Sequence, residues 1–151
     1  MAQINARDWI FEVTEDDPNG TAPVWSQIKG LQSFTLSNSE GEESTETTTF
    51  ASNGMAESQA MQRGASLSVE GRWTTDGAGA RDAGQQSVEN IAQLVGEDSL
   101  GTVRFRHKDA TDWTQWTAWA SLGDNGGGNN DKTSWSASFT RSGAATTAAV
   151  V

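Results

Sequence analysis

The stretch ESTETTTFASNGMAESQAMQRG, from Glu43 to Gly64, contains a single aromatic residue, Phe50, and no valine, isoleucine or leucine. It cannot build a core. It is also too long for a tight hairpin connection, since such loops take about two to five residues and those beyond ~12–15 are mostly functional or disordered. Its first part, ESTETTTF, is threonine-rich and suited to a strand. Together these features predict a long two-stranded flap with a floppy tip, extending beyond the domain. Isolated hairpins are marginal in water, so such a flap becomes ordered when it docks on another molecule, and that interface offsets the cost of ordering.

The remainder of the chain has to supply the fold. With 151 residues it fits one domain, in which folding buries roughly 68–70% of the accessible surface. Hydrophobic residues make up 34%, below the usual ~45–50% even allowing for glycine being counted separately, so one modest core is expected. Cysteine is absent, which rules out disulfide staples and thiolate metal sites. A formal net charge of −10 repels phosphate backbones and anionic membrane surfaces. The start MAQINARDWIFEV lacks the basic residues and apolar run of a signal peptide, and no apolar stretch approaches the ~20 residues of a membrane span. The expectation is a soluble chain, unexported by that route and without a membrane partner.

Period-two alternation marks the strands. In DWIFEVT, Trp9, Phe11 and Val13 share one face; VWSQIKGLQSFTLS offers Trp25, Ile28, Phe34 and Leu36 on one broken strand or two short ones, with Gly30 as a bend or bulge. In ASLSVEGRWTT, Leu67, Val69, Gly71 and Trp73 alternate with Ser66, Ser68, Glu70 and Arg72. The period then changes. Val88, Ile91, Ala92 and Val95 form one stripe of an amphipathic helix, with Asp82 as N-cap and Gly96 as the C-terminal stop. TVRFRHK, DWTQWTAWASL and TSWSASFTR complete a set of about seven strands. The expected architecture is mainly β: an antiparallel sandwich or partly open barrel with one short helix on one side or end. Its expected core is Trp9, Phe11, Trp25, Phe34, Leu67, Val69, Trp73, Val88, Ile91, Val95, Phe105, Trp135 and Phe139. The end of the chain, 144–151, has no evident face to bury and is expected to be a flexible tail, or an arm that orders against a partner.

Few residues invite chemistry. Trp113, Trp116 and Trp119 in WTQWTAW suggest a sugar-stacking platform, but strand alternation puts Trp116 on the opposite face, so core or subunit-interface roles are preferred. GDNGGGNND offers oxygen ligands without calcium-loop spacing or a closing bidentate glutamate, and reads as a hairpin tip. His107 is the only histidine and lies among Arg104, Arg106 and Lys108; neither GxSxG nor HExxH occurs. The paired carboxylates Glu42 and Glu43, and Asp16 and Asp17, lie in polar loops where solvation explains them. The expectation is therefore a non-enzyme without cofactor, metal or catalytic residues.

Taken in order, SFTLS, ETTTFASNG, MQRGASLSVEGRW, GARDAGQQSVENIA, DSLGTVRFRHKD and GGGNNDKTSWSASFTRSG resemble the major tail tube proteins of long-tailed double-stranded DNA phages, from about Trp25 to Gly143. The resemblance implies a virion structural protein whose copies close into hexameric rings around a continuous β-barrel and stack into the tube that carries DNA during ejection. It implies tape-measure, tail-terminator and tail-tip proteins as partners, passage of DNA without specific binding, and a place in the phage tail, with the host cytoplasm as the site of assembly. In that family the long loop between early strands reaches a neighbouring ring or subunit. Here it maps onto 39–64, with Glu43, Glu46, Thr47, Thr48, Thr49, Phe50, Met55, Glu57, Met61 and Arg63 as candidate contact residues. Glu46 and Glu70 are the candidate lumen acids. The rival readings are the inner tube of a contractile tail or injection device, which shares the fold type, and a monomeric carbohydrate-binding β-sandwich.

Overall fold

The computed structural model describes residues 2–15 and 23–150. Eleven regular elements follow in chain order. They are β1 (Trp9–Thr14), β2 (Ser26–Gln27), β3 (Leu31–Ser37), β4 (Glu43–Glu46), β5 (Ser58–Gln62), β6 (Ser66–Arg72), α1 (Ala83–Ala92), β7 (Leu100–His107), β8 (Asp112–Leu122), β9 (Ser134–Arg141) and β10 (Thr146–Ala149). The turn-rich segment expected between β1 and β2, including Asp16 and Asp17, lies outside the described residues from Asp16 to Ala22. Strands β4 and β5 form a separate two-stranded hairpin. The others make one antiparallel sheet in the order β2-β1-β7-β8-β9-β6-β3.

This sheet is curled, and no hydrogen-bonded ladder among the described residues joins its flanks. Aromatic side chains bridge them instead. Phe34 on the terminal strand β3 lies 5.0 Å from the ring of Phe11 and 5.5 Å from that of Trp9, both on β1. Tilted ring pairs at such separations are favourable beyond the apolar area they bury. Inside the curl, the inward positions of every long strand meet: Phe11 and Val13, Leu67 and Val69, Val103 and Phe105, Trp116, Ala118 and Ala120, then Trp135, Ala137 and Phe139. Mainly β with one helix, as the sequence pattern implies, the fold is a partly open barrel.

One end of the barrel is closed by α1, which buries Val88 and Ile91 against the core. Asp82 caps the helix, accepting from the Gln85 amide and, across to the β2–β3 connection, from the Lys29 amide, both at 3.2 Å. Gly84 lets the helix sit on β2: a Cβ there would lie 2.2 Å from the Gln27 carbonyl oxygen. Gly30 sits at φ 78° just before a register shift between Leu31 and Ser33, which is the bend expected there. Gln85 is fully buried and satisfied on both ends of its amide. Its Oε1 accepts from the Thr74 amide and Arg81 Nη1, while its Nε2 donates to the carbonyls of Lys29 and Arg72.

Several expected core positions belong elsewhere. The helix stops at Ala92 instead of running to Gly96; Val95 is extended and 85% exposed, because Gly96 opens a separate 3-10 turn over Gly96–Ser99. Trp73 is 41% exposed: β6 ends at Arg72, and the ring lies under the Arg81 guanidinium at 3.7 Å instead of facing inward. Trp25 is half-buried outside the core, beneath Arg104 at 4.0 Å. Trp9 and Phe34 pack on the core while remaining partly exposed. The segment expected to be a free tail instead forms β10, which pairs with Asp112–Gln115 of β8. β9 pairs with the far half of the same strand, so β9 and β10 act as one interrupted strand along β8, and backbone pairing supplies the order that the small side chains of this segment do not.

Gln85→Met should remove four hydrogen bonds at a fully buried position and leave the Thr74 amide without its acceptor. Its expected cost is about 2–4 kcal/mol, measurable by urea unfolding, with the helix signal and the tryptophan signal moving together.

Candidate assembly surfaces

The hairpin of β4 and β5 interrupts the connection from β3 to β6, and every residue in its two strands is exposed. Its register pairs Ser44 with Ala60, Thr45 with Gln59 and Glu46 with Ser58, after an irregularity at Glu43. The base is held by Gln62 Nε2 donating to the Gly41 carbonyl at 2.8 Å and by the Arg63–Glu42 ion pair at 2.9 Å. Above the strands, the Thr48 hydroxyl bonds both the amide and the carbonyl of Glu57. The tip was expected to be floppy, yet it carries its own hydrogen bonds. Phe50–Ser52 form a 3-10 turn whose ends are tied by reciprocal Thr49 and Ser52 bonds, and Asn53 follows in the left-handed conformation. Phe50 on this turn is 105% exposed, and Met55 and Met61 are exposed too. The arm thus presents three large apolar side chains to solvent and packs none of them.

All ten candidate contact residues thus lie on or at the base of one hairpin, whereas the two candidate lumen acids are separated. Glu46 ends β4 on the arm. Glu70 is exposed on the outward face of β6, opposite Leu67 and Val69, in register with Ser33 on β3 and Ser136 on β9.

Around Glu70 lies a surface that reading strands one at a time does not reveal. Thr35, Ser68, Ser138 and Ser121 form one cross-strand row, and Ser37, Ser66 and Thr140 another. The outer wall of β3, β6 and β9 is therefore paved with small hydroxyls, with Glu70 as a charge in their midst and Arg72 at the strand end. The signal was present in the alternate positions of SFTLS, SLSVEGR and SWSASFT. It needs the sheet order to become a face.

The other flank of the barrel is built differently. Arg104 lies between Trp25 and Trp113, at 4.0 and 4.2 Å from the rings, and pairs with Glu12 through contacts of 2.6 and 3.0 Å. Arg106 covers the same Trp113 ring at 4.7 Å. Trp113 and Trp116 are buried on opposite faces, and only Trp119 of the three is exposed, at 45%. They present no sugar platform. His107 packs edge-on against Trp9 at 6.0 Å, and its Nδ1 accepts from the Asp109 amide. In the loop between β8 and β9, Asp131 accepts from the Gly128 amide, and Ser134 and Gly126 bond each other, so this turn is closed on itself. Among the described residues, no three His, Asp or Glu side chains are placed to hold a metal ion.

No protein-family profile matches the chain, and no curated protein sequence does. Solved structures do. A chain from the tail of an empty gene transfer agent particle, determined with C6 symmetry, superposes with a TM-score of 0.70 at 20% identity, covering 98% of this chain and 100% of that one. A chain from the virion of a native gene transfer agent particle superposes with a TM-score of 0.65, at the same identity and coverage. This chain has their fold. The likeness extends over nearly the whole chain and accords at the level of fold with the resemblance to tail tube proteins.

Because the arm contributes nothing to the core, deleting Glu43–Gln62 and joining the ends should leave cooperative thermal unfolding intact, with the midpoint shifted by only a few degrees in circular dichroism. Loss of the cooperative transition would show that the arm is part of the domain's own stability.

Proposed function

We propose that this chain is a tail tube subunit of a phage-type particle: its copies close into hexameric rings, the rings stack, and double-stranded DNA passes through the bore. The observation that carries this reading is the fold match over 98% of the chain to a chain of a C6-symmetric tail. The physical features support it. Among the described residues β3 pairs only with β6, leaving an edge of seven residues unpaired; an open edge of that length is an aggregation liability unless another copy completes it. The arm supplies a second contact that the isolated chain cannot satisfy. Tape-measure, terminator and tip proteins would then meet the ends of the tube.

The hydroxyl-paved wall around Glu70 is the surface we assign to the bore. Short hydroxyls offer no fixed positive charge, and Glu70 adds a negative one. In a ring whose subunits each carry −10, phosphates are held off the wall and the duplex meets little friction. The same reading makes catalysis unnecessary.

Purified protein at high concentration should show rings or tubes with six-fold symmetry in negative-stain images, and the arm deletion should abolish them; a persistent monomer would overturn the proposal. Glu70→Lys tubes should co-sediment with duplex DNA in a salt-sensitive manner where the unmodified tubes do not. Equal DNA retention by both would remove Glu70 from the bore.

A further inference from the structure

The barrel has two unlike ends. At the end away from α1, the strand termini surround a cavity of about 420 Å³ lined by Trp9, Leu36, Phe105, His107, Trp116 and Arg141, among others. Its walls mix aromatic and polar side chains, and three of the lining residues, Arg106, Trp116 and Arg141, each bury an N–H without an acceptor. Arg141, half-buried over the Trp116 ring at 5.8 Å, has no ion pair and no side-chain hydrogen bond among the described residues. The one carboxylate in the lining, Asp112, is not paired with it. A half-buried guanidinium whose Nε has no acceptor, beside an apolar hollow, has room for both an anion and an apolar group.

The arm offers both. Between Glu43 and Gln62 it carries three carboxylates, Glu43, Glu46 and Glu57, and no lysine or arginine. None of the three pairs within the chain among the described residues. Phe50 at its tip is wholly exposed, so it does not fill the cavity of its own barrel. From Glu42 to Phe50 an extended chain reaches about 26 Å at ~3.3 Å per residue, enough to cross onto an adjacent domain. The arm also leaves the barrel at the cavity end, between Ser37 and Ser66, and copies related by rotation about a ring axis present that end at the same level.

We infer that the open end of the barrel is the receptor for the arm of a second copy: Phe50 of one copy enters the cavity lined by Trp9, Leu36, Phe105 and Trp116 of the next, and an arm carboxylate pairs with Arg141. This deepens the proposed assembly role and rests on it for the ring arrangement. The contact is heterologous, plug to socket, and therefore propagates around a ring instead of stopping at a dimer.

Because the chain has no cysteine, cross-linking reads the contact directly. Ala51→Cys protein, which keeps Phe50, mixed with Ala145→Cys protein, Ala145 lying in the cavity wall, should give a covalent heterodimer with a short bis-maleimide. The yield should exceed, by about tenfold, that of Ala51→Cys with Leu94→Cys, an exposed position beside the helix. Adding Arg141→Glu to the Ala145→Cys protein should reduce the yield by about tenfold. A yield no higher than the Leu94→Cys control, or one untouched by Arg141→Glu, would overturn the inference. Tubes that form without the cross-link would leave the tube reading standing and place the arm elsewhere; a cross-link without tubes would support the socket while contradicting the tube.

Discussion

The fold depends on a contact that no backbone hydrogen bond makes. β3 and β1 lie on opposite flanks of one sheet, and Phe34 brings them together by packing on Trp9 and Phe11. With it, inward positions on six strands become a common interior, and outward positions become walls of distinct chemistry. Closure through side chains instead of a ladder also leaves the edge of β3 unpaired among the described residues, which is what a subunit needs if its sheet is to continue into a neighbour.

The two ends of the barrel are finished to different standards. At the helix end most polar groups are paired, Arg81 Nε excepted: Gln85 uses both ends of its amide, Asp82 caps the helix and holds the Lys29 amide, and Trp135 donates to Glu89, which also pairs with Arg81. At the other end, donors on Arg106, Trp116 and Arg141 are left over beside an aromatic hollow. Native interiors seldom leave several such groups together. This end is where we infer that the acidic, apolar-tipped arm of a second copy docks.

Charge is likewise divided. Arginines concentrate on the flank of β7, where Arg104 and Arg106 are stacked on tryptophan and, for Arg104, neutralised by Glu12. The wall of β3, β6 and β9 keeps short hydroxyls and Glu70, with Arg72 at the end of β6. In the proposed tube, stacks and ion pairs would keep the β7 arginines from attracting the polyanion.

Alternation in the one-letter code was enough to place Phe11, Leu67, Val69, Phe105, Trp135 and Phe139 inward, because side-chain direction on a strand follows position alone. The helix start at Asp82 was equally legible, since capping is a local event; its end was not, because Val95 continued the stripe in spacing while the backbone had already left the helix. That Glu43–Gly64 stands apart from the core followed from its lack of branched apolar residues. Tertiary structure alone decided the rest. Trp73 and Trp25 lie under Arg81 and Arg104, and β10 is held by β8, through partners distant in sequence. The hydroxyl wall and the open end exist only once sheet order sets residues from separate strands side by side: a pattern along one chain fixes which way each side chain points, but not what it meets there.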